Sequence, residues 1–158
     1  MPHMKTLAAV SVLSVLAAGS LGWAAPEAPE SPVTITVSVA PGSVAAGGDA
    51  TATVSLVPKP GIKLNKYPKI KIQIPAAEGL VAAAEASIGN AAPPAADKLD
   101  ANYFHGAVDP LKVSFRVDAA ATHGPHEVPA KLSYFYCVAA SGYCAPAKVA
   151  VSIPVTVR

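Results

Sequence analysis

Two residues carry the most distinctive covalent chemistry in this chain: Cys137 and Cys144, the only cysteines among its 158 residues. They lie in the run Tyr134-Phe135-Tyr136-Cys137-Val138-Ala139-Ala140-Ser141-Gly142-Tyr143-Cys144-Ala145-Pro146. In an oxidising compartment such a pair is expected to form a disulfide. Closing so short a loop stabilises a fold by only on the order of 2 kcal/mol, so a staple meant for stability would do more across a longer one. Strand parity adds to the argument. Leu132, Tyr134 and Tyr136 share one face, and Cys137 shares the other with Lys131, Ser133 and Phe135. In the next strand Val149, Val151 and Ile153 occupy the core side, and Cys144 has the parity of Lys148 and Ser152. Both sulfurs are therefore expected off the core face, where an attacking thiolate can reach them. A bulge at Gly142 or Pro146 would shift that parity by one. On spacing alone a surface hairpin staple with no chemistry fits equally well.

Nothing else in the chain forms a chemical constellation. No helix N-terminus or fixed cation is expected beside either cysteine, so the rate of any exchange would come from partner docking. His105, His123 and His126 are not brought together by alternation, and solvated loop histidines are the better reading than a metal site. Ser133 and Ser141 have no His/Asp frame for a hydrolase triad. No glycine-rich phosphate loop precedes a helix. Lys59, Lys63, Lys66, Lys69 and Lys71 form a basic stretch, read as a solvent face whose edge lysines block aggregation. No cofactor and no metal is expected. The formal net charge of +2 makes no case for nucleic acid as a partner.

The elements that must position the cysteines follow from the patterning. Residues 1–24 have the form of a secretory signal peptide: Lys5, an apolar run from Leu7 to Leu21, and small residues at Gly22 and Ala24 before the cut. The other reading is an uncleaved N-terminal anchor. Residues 25–32 (APEAPESP) read as a proline-rich tether. Residues 33–158 suit one small domain. Period-two alternation is nearly continuous in Val33–Val39, Lys69–Ile74, Leu111–Val117 and Val149–Val157, and weaker in Thr51–Val57 and Lys131–Tyr136. Pro/Gly/Asn signals punctuate these runs. Only Ala76–Ala86 could be read as a short helix, and its Gly79 weakens that reading. The expectation is all-β: an immunoglobulin-like antiparallel β-sandwich of six or seven strands after the signal peptide. Pro154 places an edge or bulge in the last strand. The irregular stretch Ile88–Val108 contains Tyr103 and Phe104, and a loop of that length in a compact domain is usually functional.

The strand ending in Tyr-x-Tyr-Cys, the Ser-Gly turn and the following Cys-x-Pro resemble the N-terminal periplasmic domain of the bacterial disulfide reductase DsbD. Residues 57–64 and 100–106 match two further segments of that family loosely. The resemblance implies an immunoglobulin-like periplasmic module that passes reducing equivalents between thioredoxin-like proteins. A membrane thiol transporter is a further implied partner, and no stable membrane insertion is expected after signal cleavage. It implies that Cys144 bonds the partner, that Cys137 resolves the mixed disulfide, and that Phe104, with Tyr103 beside it, caps the pair. The chain departs from the family in several places. The loop between the cysteines is one residue longer, Ala145 stands where the family has Tyr, and a single proline follows. The family's active-site tyrosines are replaced around Lys63–Asn65, and its acidic cap residues by Asn102 and Tyr103. The chain is expected to act as a detached module. The alternative is a non-catalytic exported domain with an inert disulfide.

Overall fold

The computed structural model describes residues 30–158; the expected signal peptide and the first part of the tether lie outside them. The strands are β1 (Val33–Ala40), β2 (Asp49–Pro58), β3 (Ile62–Leu64), β4 (Ile70–Ile74), β5 (Ala84–Ile88), β6 (Leu111–Arg116), β7 (Gly124–Val138) and β8 (Cys144–Val157). No α-helix occurs among the described residues; a single 3₁₀ turn spans Leu99–Asn102. One sheet has the order β1-β2-β6. In the other, β8 pairs with one edge of β7, while β4 and β3 share its opposite edge and β5 continues outward from β4. All six strand pairings are antiparallel. This division of strands between two facing sheets is that of an immunoglobulin-like sandwich.

The alternation seen in the sequence is the reason for the two layers. Ala52, Val54 and Leu56 of β2, and Leu111, Val113 and Phe115 of β6, point inward from one sheet. Ile70, Ile72 and Ile74 of β4, Leu132 of β7 and Ile153 of β8 meet them from the other. These residues form one contiguous hydrophobic cluster. Burying a branched aliphatic side chain is worth about 1.5–3 kcal/mol, so this seam fixes the register of each strand. Ala76–Ala86 is not helical: Ala77 and Val81 pair across a tight turn, and the chain then enters β5. Pro154 lies on β8, whose only strand partner among the described residues is β7, so its missing N–H breaks no ladder there on the outer side. The end of the tether is fastened, since the Lys59 N–H donates to the Pro32 carbonyl at 3.0 Å.

The strand pairing that matters most for the cysteines was not visible in the sequence. β3 is only three residues long, and it lies against the last residues of β7: Ile62 opposite Val138, Lys63 opposite Cys137, Leu64 opposite Tyr136.

Candidate functional site

The β7–β8 hairpin brings the sulfurs together by register. Cys137 and Cys144 are direct cross-strand neighbours, and their sulfurs are bonded, with Cα atoms 4.0 Å apart. The Val138 N–H donates to the Tyr143 carbonyl at 2.7 Å, and the Gly142 N–H to the Val138 carbonyl at 2.9 Å. Val138 and Tyr143 are thus a hydrogen-bonded pair, which makes the next pair outward, Cys137 and Cys144, a non-hydrogen-bonded one. In antiparallel sheets those pairs have the closer Cα atoms. Gly142 accepts the positive φ of +69° that the turn requires.

The two sulfurs differ sharply in access. Cys144 is exposed, in line with its neighbours Pro146 and Lys148 on the outer face of β8. Cys137 is only 4 % exposed. It nevertheless stands outside the contiguous core cluster, which Leu132 and Tyr134 join from the opposite face of β7. The parity argument thus places both cysteines correctly off the core face, but its corollary, that both are reachable, fails for Cys137. Parity says which face a side chain takes and nothing about what covers that face.

The cover is built from the chain around Asn65 and the loop around Tyr103. The Asn65 N–H donates to the Phe135 carbonyl at 3.0 Å, continuing β3 along β7. Asn65 then pairs with Tyr103 in an antiparallel bridge, and the Phe104 N–H donates to the Leu64 carbonyl at 3.0 Å. The base of the loop is clasped by Asn102. Its Oδ1 accepts from the Tyr67 N–H at 2.9 Å, and its Nδ2 donates to the Tyr67 carbonyl at 3.0 Å. Gly89 tightens the same segment. Its φ is +123°, and a Cβ there would run into the Lys66 carbonyl, which already accepts from the Asn90 N–H.

This frame delivers two polar groups to the buried sulfur. The Tyr103 hydroxyl lies 3.6 Å from Cys137 Sγ, and Asn65 Oδ1 also lies at 3.6 Å. Asn65 is 6 % exposed and is the buried polar residue among those described. The Lys63 ammonium stands 4.9 Å from the centre of the Tyr103 ring, and the Lys66 ammonium 5.8 Å from that of Phe104. The aromatic that reaches the pair is therefore Tyr103. Phe104, expected to shield the disulfide, packs against the hydrophobic core instead. Adjacent residues on an extended segment point to opposite sides, so only one of the two can face the sulfur.

Two further residues of the site were missed. Lys63, exposed as expected of a solvent face, is the register neighbour of Cys137, and its ammonium lies over the Tyr103 ring. Asn65 was noticed only as a departure from the family's tyrosines; its burial depends on β3 pairing with β7. His105 and His123 are exposed, and His126 Nε2 sits 2.7 Å from the Thr122 carbonyl. Lys71 pairs with Glu85 at 3.4 Å on an exposed strand face. No protein-family model, curated protein or solved structure matches this chain.

Proposed function

We propose that this chain is an exported thiol–disulfide exchange module acting through Cys144 and Cys137. The observation that carries the reading is the asymmetry of access: one sulfur exposed, its partner buried under Tyr103 and Asn65. A nucleophilic thiolate must approach a disulfide sulfur from the side away from the bond being broken. Of the two residues Cys144 is the exposed one, so attack is directed at its sulfur. The partner thiolate bonds to Cys144 Sγ, the bond between the two chain sulfurs breaks, and its electron pair leaves on Cys137 Sγ. A second partner thiolate then attacks the partner's own sulfur in the mixed disulfide and releases Cys144 as a thiolate. The chain's two thiolates take up the protons that the partner's thiols lost. The partner dithiol ends as a disulfide and the Cys137–Cys144 pair ends reduced. Run in reverse on an oxidised acceptor, the same steps pass the electrons on.

The partners in this reading are thioredoxin-like proteins, with a membrane thiol transporter as a further donor. The compartment is the periplasm, reached through the signal peptide of residues 1–24. The test is trapping. Cys137→Ser removes the internal resolving thiol, so a thioredoxin-like protein that lacks its own second cysteine is captured as a stable mixed disulfide through Cys144. If neither Cys137→Ser nor Cys144→Ser captures such a partner, the exchange function is rejected.

A second reading draws on the burial of Cys137. A sulfur that deep is also what an inert staple would show. In that case the domain is an exported binding or structural module, and its disulfide resists reduction by cellular dithiols.

A further inference from the structure

The polar contacts at Cys137 are poorly explained by shielding. An apolar side chain would cover a disulfide at less cost, because a buried carboxamide must find partners or lose its hydration. Yet Asn65 and Tyr103 both aim polar atoms at Cys137 Sγ, each at 3.6 Å, and Lys63 is registered opposite that residue. A disulfide sulfur carries no proton and accepts weakly. A thiolate is a full negative charge and accepts strongly, so the Tyr103 hydroxyl and the Lys63 ammonium interact better with the opened site than with the closed one, while Asn65 Oδ1 suits the protonated thiol.

We infer that the Tyr103 hydroxyl, backed by the Lys63 ammonium over its ring, stabilises the thiolate that Cys137 becomes when the disulfide opens. The inference rests on the exchange reading and adds the machinery for its leaving group. When a partner thiolate bonds to Cys144 Sγ, the electron pair of the broken bond is left on Cys137 Sγ. Tyr103 donates its O–H to that charge. Asn65 Oδ1, an acceptor, takes a hydrogen bond from the protonated thiol once the charge is neutralised. Lys63, held over the Tyr103 ring at 4.9 Å, places a positive charge on the same edge of β7. A leaving thiol of lower pKa leaves faster, so the site accelerates opening at the step that burial of Cys137 would otherwise penalise.

The test needs no protein partner. In Cys144→Ser, Cys137 is the only thiol, and its ionisation is followed by the ¹³Cβ chemical shift against pH. Adding Tyr103→Phe keeps the ring and removes only the donor. The expected result is a rise of about one unit in the Cys137 pKa, the size of a hydrogen bond to a charged group. In the chain with both cysteines, Tyr103→Phe is expected to slow reduction by dithiothreitol several-fold. A residue that merely shields would give an unchanged pKa and an unchanged rate in the Phe variant, and that pair of results overturns the inference. A raised pKa in a chain that captures no thioredoxin-like partner keeps the thiolate site and rejects the exchange role, so the two failures are distinguishable.

Discussion

At the scale of single residues, the site is a matter of which sulfur faces out. Cys144 sits on a strand face whose other members are exposed, and the parity of β8 alone predicts that. The burial of Cys137 was not legible, because it arises from residues 72 and 34 positions away in the sequence, Asn65 and Tyr103. No local pattern reports such contacts. A second residue makes an independent prediction. Tyr134 is buried in the core cluster, and its hydroxyl has no hydrogen-bond partner among the described residues. Desolvation holds its pKa above the ordinary tyrosine value, opposed by the Ser31 hydroxyl, which is itself engaged with the Val33 carbonyl at 2.8 Å. The neutral phenol is thus favoured in the folded state. Its contribution to stability is complete below the unfolded pKa of about 10 and is lost as pH rises through the folded pKa. Urea midpoints measured up to pH 11.5 are expected to fall in that alkaline window, and less so in Tyr134→Phe. The same variant, which removes an unpaired buried hydroxyl, is expected to be neutral or slightly stabilising at pH 7.

At the scale of elements, the long alternating strands were readable and the short ones were not. Val33–Val39, Lys69–Ile74 and Leu111–Val117 each expose one face to water and bury the other, so their pattern survives in the sequence. β3 has three residues, too few for a period to show, yet it carries Lys63 and leads straight into Asn65. β5 edges the sheet and alternates half-buried Ala84, Ala86 and Ile88 with exposed Glu85 and Ser87, but two of its three inward residues are alanines, so its apolar pattern is faint. The loop that covers Cys137 stood out in the sequence by its length and its aromatic pair. Its anchor, the Asn102 clasp on Tyr67, did not. Asn102→Ala removes both side-chain bonds of that clasp. It is expected to cost about 1–2 kcal/mol in urea unfolding and to speed reduction of the disulfide by dithiothreitol, because the cover loosens. Gly89→Ala tests the opposite wall. Its positive φ and the Lys66 backbone leave no room for a methyl group, so it is expected to destabilise by about 2 kcal/mol or more. The same measurement on Gly61→Ala, where nothing lies close, is the control for φ alone.

At the scale of the whole molecule, an exchange module must be folded in both redox states. The sandwich meets that demand because the disulfide bridges the last pair of a long ladder. β7 and β8 are paired from Gly124–Val157 through to Cys137–Cys144, and the contiguous core cluster does not include the sulfurs. Opening the bond therefore removes a local constraint and leaves the seam between the sheets intact. The reduced chain is expected to keep its sheet structure by circular dichroism and to lose on the order of 2 kcal/mol in urea unfolding. The two-layer fold was foreseeable at this scale, since alternating strands with regular turns have few other ways to bury their apolar faces. The relation between the sheets and the cysteines was not, because it depends on how the chain crosses between them.

The central claim is that Cys137–Cys144 is poised for exchange instead of locked. Its most direct test is the reduction potential of the oxidised chain, measured by equilibration with a thioredoxin of known potential. The account predicts measurable exchange at equilibrium, with a potential within reach of thioredoxin's value of about −270 mV. A potential below about −300 mV, with no reduction by a large excess of reduced thioredoxin, would mark an inert structural bond and contradict it.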